Sequence, residues 1–255
     1  MATRDDWMRR LGPLYGGAVA LVHSTSWKWP VEIGDESRSS GWIVALGLPI
    51  GVLAWLVGAA AHGLGLPPAI GALLALAMLS LASAGITERG LAERIERASS
   101  DTLSGVATSS RDSGARAPGA ATIVALVFDP LVRAPAIVTL PADRWLGVLV
   151  ATAVAGRWAA VFLQALGDPI YDVESPRSLV ATPAPLWLVG AISIAVGALE
   201  IIALGRLALV ALALVAAFAF GLGLDAQRRD RGLSAPVVAT AAAVGELVVL
   251  LVATI

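Results

Sequence analysis

The chain contains no cysteine and a single lysine, Lys28, and charged residues make up only 15% of its 255 positions. Without cysteine there is neither a disulfide framework nor a thiolate metal site. So little charge excludes an ordinary soluble domain, in which about a quarter of residues are charged. A net charge of −1 supplies no basic field to attract nucleic acid. The two histidines, His23 and His62, have no metal-ligand spacing. Walker, dinucleotide and G-x-S-x-G motifs are all missing. What the chain has in abundance is apolar surface: 57% hydrophobic residues and a mean hydropathy of +0.80.

An apolar run of about 20 residues spans a bilayer as a helix. Seven runs qualify: 42–64, 67–85, 118–140, 145–166, 184–204, 206–224 and 235–255. They predict an all-α, polytopic membrane helix bundle forming a single domain over 1–255. The spacer His62–Pro68 admits only a tight hairpin, as does the junction at Gly205-Arg206. At the N-terminus, Arg9 and Arg10 precede a short apolar run, a weak signal-peptide pattern. Asp5 and Asp6 spoil it, and Gly12-Pro13 breaks the run. A retained interfacial helix with Trp7 at headgroup level is the better reading. Abundant alanine and glycine within the runs predict closely packed helices.

Cytoplasmic loops of membrane proteins collect Lys and Arg. With the N-terminus inside, fourteen such residues fall in 1–41, 86–117, 167–183 and 225–234. Only Arg144 and Arg206 fall on the other side. The expected arrangement is therefore a bacterial cytoplasmic (inner) membrane protein. Its N-terminus and a candidate site loop, 86–117, face the cytoplasm, and its C-terminus lies on the opposite side.

Polar residues are few enough to weigh singly. The stretch ITERGLAERIERA, 86–98, carries Glu88, Glu93 and Glu96. Carboxylates of this kind ligate Mg²⁺. The same spacing also gives a solvated helix with intrahelical Glu–Arg pairs, each contributing about 0.2–0.5 kcal/mol. SGVATSSRDSGARAPG, 104–119, reads as a loop, in which Asp112 offers a metal ligand and Arg111 and Arg116 offer phosphate contacts. Asp129, Arg133, Arg157, Glu200 and Glu246 lie in or near the apolar runs. Ionisable residues there usually face the bundle interior in pairs or line a pathway. Asp129 and Arg133 are one turn apart, whereas Glu246 has no partner nearby in sequence.

Taken in order, these pieces resemble the cobalamin synthase family, adenosylcobinamide-GDP ribazoletransferase. HSTSWKWPVEIGDESRSSGWIVALGLPIG follows that family's N-terminal order, with Thr25, Pro30, Pro49 and Gly51 in place. TERGLAERIE keeps Gly90, Leu91 and Ala92 of a His-Leu-Asp-Gly-Leu-Ala-Asp-x-x-Asp run. RDSGARAPG keeps Arg111, Asp112, Ser113 and Gly119. Gly156-Arg157 corresponds to a Ser-Arg pair, and Gly245, Glu246 and Leu247 match the last helix. The departures fall on chemistry. The family's His becomes Thr87 and its first Asp becomes Arg89, while its next two become Glu93 and Glu96. Its Gly-Asp before the last helix becomes Ala235-Pro236, a later acid becomes Ala243, and a basic residue is lost at Pro130.

The resemblance implies a membrane transferase joining α-ribazole or its 5′-phosphate to adenosylcobinamide-GDP with release of GMP. It implies Mg²⁺ held by Glu88, Glu93, Glu96 and Asp112, with Glu88 standing in for the lost Asp. Catalytic positions would be Arg111 and Arg157, which hold phosphate, and Glu246. The partners are membrane lipid, the nucleotide-activated corrinoid and α-ribazole. A cation at position 89 argues for the alternative of an impaired relative, a structural or binding subunit of a membrane complex or homo-oligomer. In that reading Arg89 pairs with Glu93 and Glu96. A transporter using the buried ionisable residues is the third reading.

Overall fold

The computed structural model describes residues 4–27, 39–103, 120–167, 179–180, 183–230 and 232–255. All regular elements among them are helical, as the apolar runs predict. The N-terminal part folds as α1 (Arg4–Leu11) and α2 (Tyr15–Ser24). Trp7 of α1 packs against the Tyr15 and Val19 cluster of α2, so the N-terminal segment is helical and forms a small cluster of its own.

The short α3 (Ser40–Ala45) leads into α4 (Gly47–Gly63), which folds back through a four-residue turn into α5 (Pro68–Ala82). Gly65 at φ +76° makes that turn, a conformation open to glycine at little cost. This is the predicted tight hairpin. The chain then breaks at 83–85 and enters α6 (Ile86–Leu103), whose first part runs at 85° to α5. The site segment expected as a loop over 86–117 is therefore helical as far as Leu103. Residues 104–119 lie outside the described residues. Two prolines, Pro130 and Pro135, sit inside α7 (Ala120–Val138).

The remaining helices are α8 (Trp145–Leu166), α9 (Leu186–Leu204), α10 (Ala208–Asp230) and α11 (Ala235–Ala253). By length and composition the described residues hold four helical stretches able to cross a membrane, or five if the bent α5–α6 pair is one span. One of the four, Leu186–Arg229, has 44 residues and is folded on itself. Gly205, at φ +63°, turns the chain, and a Cβ on Gly197 of α9 would lie 3.7 Å from Leu212 of α10. Fifteen residues of straight helix would separate those positions by about 22 Å at 1.5 Å per residue. The Gly205 hairpin thus accounts for two of the expected runs within one continuous stretch.

Helix α8 is the central post, with residues buried along nearly its full length. Glycines let its neighbours approach to backbone distance. A Cβ on Gly51 of α4 would lie 2.5 Å from the Cα of Val150, and one on Gly47 2.7 Å from the Cα of Val154. On the opposite side α11 packs through Gly245 against Ala155 and Ala159. Association inside lipid relies on such close van der Waals packing, because lipid tails offer no hydrophobic drive between helices.

Candidate functional site

Ser83, Thr87, Arg133, Arg157 and Glu246, all buried, gather where the α5–α6 break, α7, α8 and α11 meet. The break itself is unusual. Ala84 sits at φ +55°, a left-handed conformation uncommon for a residue with a Cβ. Three contacts hold this corner: Ser26 N–H donates to Ala82 O at 3.1 Å, Arg157 Nη2 to Ser83 Oγ at 2.9 Å, and Arg89 Nη2 to Ala84 O at 3.1 Å. Strain of this sort persists only where neighbours over-determine the backbone.

Beyond the corner, α6 lies on α11. A Cβ on Gly90 would fall 2.3 Å from the Cβ of Ala239, and Thr240 Oγ1 donates to Gly90 O at 3.2 Å. This contact explains the glycine of the Gly90-Leu91-Ala92 run: any side chain there would push α6 off α11. Docking turns the 87–88 edge of α6 inward. Thr87 is buried and donates to Glu88 Oε2 at 2.9 Å. Glu88 is close enough to act electrostatically on Asp129, Arg133, Arg157 and Glu246. The opposite edge, with Arg89, Glu93 and Arg97, is exposed, and Glu96 is half-buried.

At the centre stands Arg133. Its Nε donates to Asp129 Oδ1 at 2.8 Å, its Nη1 to Glu246 Oε2 at 2.7 Å, and its Nη2 to Ala243 O at 3.0 Å. The side chain is only 5% exposed, and those of Asp129 and Glu246 are 12% and 6% exposed. Here is the partner that Glu246 lacks in sequence, supplied by another helix from 113 residues away. Glu246 also fills the space over Gly156, where a Cβ would lie 2.5 Å from its Cγ. Arg157, one position on, donates from Nη1 to Ala153 O at 3.1 Å. With Ser83 on Nη2, only its Nε is left buried without a partner. Three carboxylates, Glu88, Asp129 and Glu246, thus face two guanidinium groups.

A family model described as cobalamin-5-phosphate synthase matches residues 18–254. The chain belongs to that family. No curated protein and no solved structure matches it. Membership in the cobalamin-5-phosphate synthase family, together with the apolar helices, makes this a membrane protein of cobalamin biosynthesis.

Against the synthase expectation, the structure brings Glu88, Arg157 and Glu246 into one cluster and leaves Glu93 on the exposed edge of α6. Arg111 and Asp112 lie outside the described residues. Arg89 makes no ion pair among the described residues and donates to Ala84 O, so the expected pairing with Glu93 and Glu96 is not formed. The residue that sequence reasoning undervalued is Arg133. Its i,i+4 relation to Asp129 was visible, but its bridge to α11 depends on how the helices pack.

Mg²⁺ requires a near-octahedral set of oxygens at about 2.0–2.1 Å. Among the described residues no three acidic or histidine side chains converge as a metal site. The Asp129 and Glu246 carboxylates, which do approach one point, are already bridged by the Arg133 guanidinium. Arg89, beside Glu88 on α6, is permanently cationic and cannot ligate. The described residues by themselves do not fit the ion.

Proposed function

We propose that the chain serves late cobalamin biosynthesis at the membrane as a catalytically impaired member of the synthase family. It would bind the nucleotide-activated corrinoid, adenosylcobinamide-GDP, and α-ribazole within a membrane assembly. The observation that carries this reading is Arg133, which occupies the point where Asp129, Glu246 and the Ala243 carbonyl meet. Phosphoryl transfer depends on positioning and on neutralising developing charge with metal and cations. Here the buried cations are spent on the protein's own acceptors, and the net balance of the cluster is acidic. Binding is supported by the extent of the family match, 18–254, and by retention of the scaffold positions Gly90, Gly156 and Gly245 at close helix contacts.

A second reading, the active transferase, is favoured by the survival of Arg111, Asp112 and Ser113 in sequence. In it Mg²⁺ would rest on Glu88, Glu93, Glu96 and Asp112, with Arg111 and Arg157 on phosphate and Glu246 beside them. One experiment separates the two. Purified protein in vesicles is titrated with adenosylcobinamide-GDP by its visible absorbance, then given α-ribazole and Mg²⁺. Binding without GMP release supports the impaired reading, GMP release supports the transferase, and absence of binding sinks both.

The charge distribution supports an orientation with the N-terminus and α6 on the cytoplasmic side and the C-terminus opposite. The exposed Arg89, Glu93 and Arg97 edge of α6 would then face the compartment that holds the nucleotide-activated substrate.

A further inference from the structure

Glu200 plays no part in the cluster above, yet it is completely buried and neither of its carboxyl oxygens has a hydrogen-bond partner. It belongs to the stripe of α9 that faces α8. Ser193 and Ala203 fix that stripe, through Trp158 Nε1 donating to Ser193 Oγ at 2.9 Å and a Cβ on Gly147 lying 3.6 Å from Ala203. Positions 193, 196, 200 and 203 recur at helical spacing, and Val196 is buried like Glu200. Helix α10 closes the other side through the Gly205 hairpin, presenting the fully buried Ala208 and Ala211.

The elements packed against α9 bring no counter-charge. On α8 the one ionisable residue is Arg157, whose Nη1 and Nη2 are bonded to Ala153 O and Ser83 Oγ. Helix α3 has none. On α10 the ionisable residues, Asp225, Arg228, Arg229 and Asp230, lie at the far end, and Arg206 in the turn is exposed.

An ionised carboxylate buried without a partner costs several kcal/mol, and the usual resolution is neutralisation. We propose that Glu200 is a proton-binding site inside the bundle, carried as the neutral carboxylic acid, and that release of its proton loosens the packing of α8, α9 and α10 beside the Gly205 turn. An unpaired charge enclosed by α8, α9 and α10 destabilises the folded bundle, so the stability that the neutral form supports is lost when the proton leaves.

The test uses the full chain in lipid vesicles and two variants, Glu200→Gln, which keeps the shape, and Glu200→Leu, which removes the polar group. The expected infrared difference between wild type and Glu200→Gln at neutral pH contains the carbonyl stretch of a protonated carboxylic acid, shifted in deuterated water. Wild-type melting temperature is expected to fall from mildly acid to alkaline pH relative to both variants. A carboxylate stretch in the neutral-pH difference spectrum would overturn the proposal. So would parallel pH profiles for wild type and variants. Failure of both variants to fold would do the same, because an isolated neutral carboxyl should be replaceable.

Discussion

Replacing Arg133 by leucine removes the cation that joins α7 to α11. Two carboxylates stay behind, Asp129 and Glu246, with side chains 12% and 6% exposed. The carbonyl of Ala243 also loses its donor. Removing one partner of a buried ion pair costs about 3–5 kcal/mol, chiefly because an uncompensated charge remains. The upper half of that range is expected here, since one guanidinium serves two acids. Net stabilities of domains are about 5–15 kcal/mol, so Arg133→Leu should leave a marginally folded protein. The assay is reversible unfolding in mixed micelles followed by far-ultraviolet circular dichroism. The penalty should be smaller at acid pH, where the stranded carboxyls take up protons, and larger at alkaline pH. A compensated variant, Arg133→Leu with Asp129→Asn and Glu246→Gln, should recover most of the loss, because no unpaired charge is left. If Arg133→Leu cost less than about 1 kcal/mol, the level of an exposed pair, or if the triple variant were no better than the single one, the reading of Arg133 as the buried cation of this cluster would be wrong.

Other expectations follow from close contacts and charge. Gly90→Ala would drive a Cβ to 2.3 Å from Ala239 and should cost about 1–3 kcal/mol as overpacking. Gly190→Ala on α9, with nothing within 4 Å, should instead gain up to about 1 kcal/mol of helix propensity; thermal melting of the two variants should move in opposite directions. Because the chain has no cysteine, single cysteines report sidedness cleanly. An impermeant maleimide should label Glu93→Cys from the cytoplasmic face and Arg206→Cys only from the other, and the reverse pattern would invert the orientation.

The helical membrane class was legible because the apolar runs are long and charge is scarce, and both depend on composition alone. The two hairpins were legible from short spacers, one of them ending at Gly205, where a positive φ leaves glycine as the natural choice. The cluster was legible only in part. Asp129 and Arg133 share a helix, so one turn of spacing showed the pair. Glu246 stands 113 residues from Arg133, and no local rule joins α7 to α11. That contact depends on how α7 packs on α11, beside the close approach of α6, α8 and α11 that glycines at 90, 156 and 245 allow. Spacing alone favours a solvated helix for segment 86–98, and the structure divides it into two edges. Its 89, 93 and 97 edge is exposed, while Thr87 and Glu88 turn inward. Helical spacing divides those residues into two edges, but which edge faces protein is decided by the docking of Gly90 on Ala239.

The central claim is that Arg133 and its acids form a closed ion network which leaves the synthase reaction without its charge-neutralising machinery. Its most direct test is GMP release from adenosylcobinamide-GDP and α-ribazole by the purified protein in vesicles with Mg²⁺, against empty vesicles carried through the same purification. The account predicts no release above that control. Sustained Mg²⁺-dependent release, abolished by Glu88→Gln or Asp112→Asn, would contradict it.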